Sequence, residues 1–167
     1  EAKGIDYEVR YLWNIGETFG AELGEVNFDL IGTHLTDLNN FDFAADPSSK
    51  TDIKGVLGDP QDQFILNTTY RWGNATVNWR FRYLDEMRLI ANEDSSELQS
   101  PYKTDAQTYS DVQVRYLFKN LLYGNLDVYG GVNNLEDAPP QQYLSGTGDG
   151  SGIYDTLGRT YYLGVVY

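Results

Sequence analysis

Hydrophobic and polar positions alternate along seven stretches of the chain, and none of these stretches repeats convincingly with helical spacing. They are residues 5–14, 25–35, 63–72, 75–84, 108–118, 125–133 and 160–167. In the first, Ile5, Tyr7, Val9, Tyr11 and Trp13 share one parity; in the second, Val26, Phe28 and Leu30 do. The third aligns Phe64, Leu66, Thr68, Tyr70 and Trp72, and the fourth Ala75, Val77, Trp79, Phe81 and Tyr83. The last three align Val112, Val114, Tyr116 and Phe118; Leu126, Val128, Gly130 and Val132; and Tyr161, Leu163, Val165 and Tyr167. Successive side chains of a strand point to opposite faces, so each stretch predicts a strand with one apolar face. The expected fold class is all-β, an antiparallel sheet of seven strands in up-and-down order.

Charge follows the same alternation. Asp6, Glu8, Arg10, Glu25, Asp29, Arg71, Arg80, Arg82, Asp111, Arg115 and Asp127 all lie at the parity opposite the apolar set. A half-solvated soluble sheet shows such alternation too. The connections separate the cases. Those near Gly16 to Gly24, at Gly73-Asn74 and at residues 119–124 are short; those at 36–62, 85–107 and 134–159 are long. Loops above about 12–15 residues are uncommon in compact soluble domains, and here every second connection reaches that length. Short turns at one end and long loops at the other are the layout of an outer-membrane barrel. Trp13, Tyr70, Trp72, Tyr116, Phe118 and Tyr167 fall beside the short turns, and Tyr7, Tyr83 and Tyr161 near the long loops. Two such belts match the aromatic girdles of a lipid-facing wall, although aromatic residues are also simply good strand formers.

Composition narrows the function classes. The 167 residues carry 25 Asp and Glu against 12 Lys and Arg, a net charge of −13. Residues 37–62 and 85–107 each hold six acids and two bases, and 135–158 four acids and no base, so the long loops supply −12 of this charge. The acidic balance argues against nucleic-acid binding. No run approaches the ~18 apolar residues of a spanning helix, and mean hydropathy is −0.48, which leaves membrane β-barrels open. The absence of cysteine removes disulfide scaffolds and thiolate metal sites. Glu1 opens without the charged and apolar regions of a signal peptide, so a mature chain or a piece of one is expected.

A family resemblance then emerges. Gly131-Val132-Asn133-Asn134-Leu135-Glu136-Asp137, Pro139-Pro140, Tyr154-Asp155 and Gly158-Arg159-Thr160-Tyr161-Tyr162-Leu163-Gly164-Val165 resemble the C-terminal end of TonB-dependent outer-membrane receptors. Residues 111–116 resemble that family's third-last strand, and Glu136 stands where the family typically has Phe. The resemblance is strongest over 111–167; before that only the architecture is similar. It implies a transmembrane barrel of 22 strands around an N-terminal plug that carries the energy-coupling box. Neither plug nor box is in this sequence, and seven strands of ~10 residues cannot close such a barrel. Residues 1–167 are therefore expected to be the C-terminal part of the barrel domain, by cleavage, partial coverage or a split chain. The implied partners are outer-membrane lipid, the remaining strands and plug, TonB acting through the plug, the barrel-assembly machinery and a small-molecule ligand. The implied role is energy-coupled uptake, in the bacterial outer membrane, of a nutrient such as a siderophore, haem, cobalamin or oligosaccharide.

No catalytic constellation is legible, so no enzyme and no cofactor are expected. His34 is the single histidine, which removes His-based triads and metal clusters within this chain. Asp42/Asp46, Asp59/Asp62, Glu93/Asp94 and Asp149/Asp155 lack EF-hand spacing and read as solvated loop charge. Gly146, Gly148, Gly150 and Gly152 precede no helix and read as a flexible loop. Arg71, Arg80, Arg82 and Arg115 are expected to line an interior with Asp111 and Asp127, paired with wall acids or plug carboxylates, or contacting an anionic ligand. Phe41, Phe43, Tyr102, Tyr143 and Tyr154 are candidate ligand contacts on the long loops. Tyr161, Leu163, Val165 and Tyr167 are the assembly signal that the resemblance implies. Two other readings stay open: a small eight-stranded outer-membrane barrel with a structural or adhesive role, and a soluble acidic β-sandwich or lipocalin-like binder.

Overall fold

The computed structural model describes residues 1–20, 22–43, 45–89, 91, 102–121, 124–140 and 152–167. The chain is mostly antiparallel β-sheet, with 65% of residues in strands and 5% in helices. The main strands are β1 (Ala2–Asn14), β2 (Glu25–Phe41), β4 (Asp62–Trp72), β5 (Ala75–Leu84), β8 (Gln107–Leu121), β9 (Gly124–Asn133) and β10 (Thr160–Val166). They pair in the order β1-β2-β4-β5-β8-β9-β10, each with its neighbour in sequence among these seven. All seven expected strands are present in the expected up-and-down order. Shorter elements sit between them: α1 (Ile15–Phe19), β3 (Lys50–Asp52) against the end of β2, and a hairpin of β6 (Met87–Arg88) with β7 (Lys103–Thr104).

Local chemistry sets the turns. Between β4 and β5 the chain reverses in two residues, with Gly73 at φ 58° in the first turn position, where a Cβ is disfavoured. Between β1 and β2, the Asn14 side chain accepts from the Glu17 amide (3.3 Å) and opens α1. Gly20, at φ 70°, closes it, its backbone N–H donating a hydrogen bond to the Gly16 carbonyl (2.8 Å).

The register joins the parities of separate strands into two faces. Directly paired residues of an antiparallel sheet point the same way. One row runs Tyr11, Phe28, Thr68, Trp79, Val112, Val132, Tyr161; the next begins Arg10, Asp29, Asn67, Arg80, Asp111. All eleven charges singled out above fall on the second face. The apolar face has no second layer: Tyr11, Trp72, Val114, Tyr161, Leu163 and Val165 are exposed. The accessible area, 10932 Å², exceeds the roughly 8,300 Å² of a compact monomer of this mass.

The sheet is not closed into a barrel. Among the described residues β1 and β10 each have one hydrogen-bonded neighbour and do not pair with each other. It is, however, staggered. Glu25, Arg71, Thr76, Arg115 and Tyr129 form one row. β2 begins on this row, whereas β9 begins five residues below it at Gly124. The opposite ends fall by the same amount, from Asp62 nine residues above the row in β4 to Asn133 four above in β9. Five residues are about 17 Å along a strand, and four strand spacings about 19 Å. The line from β2 to β9 is thus inclined by roughly 40° to the hydrogen-bond rows, within the range of barrel strand tilts, and the opposite ends, which fall as far over only the three spacings from β4 to β9, by roughly 50°.

Candidate functional site

Four aromatic residues at the edges of the apolar face have their polar tips bound at the strand ends, while Tyr7 lays its ring across Gly32 of the next strand. At the short-turn end Trp13 Nε1 donates to Thr18 Oγ1 (2.8 Å), Tyr70 to the Leu23 carbonyl (2.8 Å) and Trp72 Nε1 to the Glu22 carbonyl (2.9 Å). At the long-loop end the Tyr83 hydroxyl donates to Asp85 Oδ1 (3.1 Å). The row of Trp72 and Ala75 lies eight residues from Tyr83, so the band between the belts is about 21 Å tall once the tilt is allowed for.

On the charged face, the wall arginines meet two fates. Arg71 pairs with Glu25, its direct cross-strand partner (3.1 Å). Arg115 grips Asp127 in a forked contact, with Nε 2.8 and 2.7 Å from the two carboxylate oxygens. Arg80 and Arg82 meet no carboxylate among the described residues. Arg82 lies over the ring of Tyr109, its cross-strand partner, 4.6 Å from the centroid. Arg80 faces Asp111 in the register, but Asp111 Oδ1 accepts from the Asn134 amide (2.9 Å).

The long loops meet over this face. Leu84, Met87, Tyr109 and Tyr154 form a buried cluster, joined by Leu57, Ala138 and Ile153. Each of the three long connections contributes. Met87 is 1% exposed, and the buried Thr104 hydroxyl holds it: Thr104 Oγ1 accepts from the Met87 amide (3.2 Å) and from the Tyr154 hydroxyl (2.9 Å). Arg88 ties the first loop to the second, its Nη2 donating to the Lys54 carbonyl (2.8 Å) and its carbonyl accepting from the Leu57 amide (2.8 Å). The third loop is pinned at its base. Asn134, fully buried at φ 51°, exchanges side-chain hydrogen bonds with the Ala138 backbone (both 2.9 Å). Asp137 Oδ1 accepts from the Arg159 amide (2.9 Å), and Glu136 Oε2 from the Ser110 amide (2.9 Å). Partial burial pushes the Glu136 carboxyl up, but hydrogen bonds from Ser110 and from its own backbone, with the Arg159 charge, outweigh it. The net effect holds it below the ordinary 4.5.

Beneath this cap lies a recess of about 270 Å³ lined by Arg80, Arg82, Tyr109, Asp111, Tyr154 and Asp155. Its two cationic groups are guanidinium groups from one strand, Arg80 and Arg82 of β5.

The candidate loop aromatics scatter. Phe43 is 69% exposed, Tyr102 is exposed, and Phe41 is half-buried where β2 pairs with β3. Tyr154 is a core residue, 5% exposed, rather than a loop tip. Tyr143 lies outside the described residues. Tyr161, Leu163, Val165 and Tyr167 are exposed. His34 is paired with Asp62 (2.6 Å), and Asp46 accepts from the Ser48 amide and hydroxyl, a local turn role. Among the described residues no three His, Asp or Glu side chains converge as metal ligands would. Sequence reasoning missed Leu84, Met87, Tyr109 and Asn134. A signal did exist for two of them: Leu84 and Tyr109 are large apolar residues on the charged parity. Comparison with protein-family models, with curated proteins and with solved structures returned no match to this chain.

Proposed function

We propose that this chain is wall and loops of an outer-membrane receptor of the TonB-dependent kind, a part of a 22-stranded barrel that imports a nutrient with energy delivered through a plug. The observation that carries the membrane reading is the apolar band. A single sheet layer leaves it uncovered, aromatic tips bound it at both edges, and the strands that cross it are inclined like barrel strands. Water would make such a face an aggregation surface, whereas lipid is its natural solvent. Unpaired edges on β1 and β10 support further strands on both sides, because an unsatisfied backbone group in hydrocarbon costs several kcal/mol. The turn at 131–137 and the strand at 158–165 support the receptor family through their residues. On this reading the charged face lines the interior, and the interlocked loops cover its outer mouth.

The test is the mass of the native particle, extracted from bacterial outer membranes with detergent. A receptor predicts a β-barrel particle whose protein is about three times the mass of this chain, from the ratio of strands. A closed particle of this chain alone would instead favour the eight-stranded barrel. Recovery in water without detergent would refute both membrane readings.

A further inference from the structure

We propose that the recess at Arg80 and Arg82 is a binding site for a carboxylate group, held between the two guanidinium forks beneath the loop cap. The site rests on the receptor reading, which places this face inside the barrel, and it names the chemistry that the interior recognises.

The first support is the contrast among arginines on one face. Arg10 contacts Glu8 and Asp29, Arg71 contacts Glu25, and Arg115 contacts Asp127. Arg80 has no hydrogen bond or ion pair among the described residues, and Arg82 has an aromatic ring in place of an anion. A guanidinium carries five donors that match a carboxylate edge. Two of them, two residues apart on one strand face, sit about 7 Å apart at the backbone and can converge on one group.

The second support is preorganisation. The Tyr109 ring fixes one flat side of the Arg82 guanidinium and leaves its edge donors available. Tyr109 itself is buried at 3% exposure, and its hydroxyl accepts from the Asp155 amide (3.1 Å). The ring is therefore held by the same third loop that roofs the recess. Arg82 is thus held in place before an anion arrives, whereas Arg80 is exposed and is ordered only on binding.

The third support is selectivity. Asp111 and Asp155 line the recess, each with one oxygen engaged by a backbone amide: Asp111 by Asn134 and Asp155 by Leu157 (both 2.9 Å). Their two charges offset those of Arg80 and Arg82, so the recess has no net positive charge to hold a dianion, while the guanidinium donors can still hydrogen-bond a monoanion. That favours a carboxylate over a phosphate monoester. A volume of about 270 Å³ suits a head group rather than a whole nutrient.

The carboxylate has two possible sources, a free small molecule or a side chain of another segment inside the barrel. Saturation-transfer NMR on the native detergent-solubilised protein distinguishes them, with acetate and methyl phosphate as probes. A free ligand predicts saturation transfer to acetate but not to methyl phosphate. Arg80→Gln should weaken acetate binding by about tenfold or more, as expected for losing a charge-assisted fork. Arg80→Lys keeps the charge without the fork and should restore only part of the binding. An internal carboxylate predicts no transfer to acetate, together with a lower urea midpoint for Arg80→Gln, an effect with no source within the described chain. Equal binding of methyl phosphate would overturn the carboxylate assignment. No acetate transfer together with an unchanged midpoint would overturn the site. Failure of the membrane reading shows itself separately, as solubility without detergent.

Discussion

An arginine placed at Val114 tests the lipid-facing assignment most directly, because its cost depends on depth. β8 holds 15 residues, and Val114 is its central one, seven from either end, on the apolar face and 51% exposed. Seven residues are about 23 Å along the strand, or about 18 Å along the membrane normal at the tilt found above. That exceeds half of a hydrocarbon band about 25 Å tall, so a strand centred in such a band would hold Val114 near the midplane. Val114→Arg should then cost about 2–4 kcal/mol relative to Val114→Ala. Phe118 lies four residues lower on the same face, about 10 Å from the midplane, and there the Arg-versus-Ala difference should fall to roughly 0–1 kcal/mol. Gln113→Arg, on the opposite face, should be mild. The assay is equilibrium refolding of the full barrel into lipid vesicles across a urea series. A soluble β-sandwich would also reject arginine at Val114, but without a gradient set by depth. Equal penalties at Val114 and Phe118, or a Gln113→Arg penalty as large as that at Val114, would refute the reasoning.

Three further substitutions probe the packing. Gly131→Ala would set a Cβ 2.5 Å from the Val112 carbonyl oxygen and 2.5 Å from the Tyr162 hydroxyl; the backbone contact cannot yield cheaply, so a loss of about 1–3 kcal/mol is expected in the same refolding assay. Gly152→Ala meets nothing within 4 Å and serves as the neutral control. Met87→Ala should open a cavity in the loop cluster worth about 2–5 kcal/mol, seen as faster amide exchange at 87–89, 102–104 and 152–157 with the strand amides of β4 and β5 unchanged. The Glu136 carboxyl is held below 4.5 in the folded chain, so its stabilising effect is present above that value and is lost as pH falls through the lower folded one. The protection of the Ser110 amide, measured against its intrinsic exchange rate at each pH, should therefore fall in acid, and Glu136→Gln should flatten that dependence.

The strands were legible because an apolar face and a charged face impose one rule on every second residue, and that rule survives without knowledge of the register. β5 begins and ends where its alternation does, at Ala75 and Leu84. β2 runs six residues further than its alternation, to Phe41, because partners rather than pattern sustain it: Leu38 pairs with Ala2, and Asn39 with Asp52 of β3. The loop cluster was not legible, since Leu57, Met87 and Tyr154 come from three separate connections and no local period links them.

Register also divides the arginines. Arg71 and Glu25 lie 46 positions apart, and nothing local marks them as a pair until the rows are aligned. By the same rule Arg80 should pair with Asp111, which lies directly opposite. It does not; Asp111 instead accepts, through one oxygen, from the turn after β9. Asn134 adopts the left-handed conformation, which Asn tolerates better than most residues, and so directs its amide at Asp111. Its buried side chain meanwhile locks onto Ala138, holding that amide in place. The Asn-Asn-Leu-Glu-Asp run, noticed first as a family resemblance, thus has a local physical task. It closes the third loop and gives one oxygen of the acid opposite Arg80 a backbone partner.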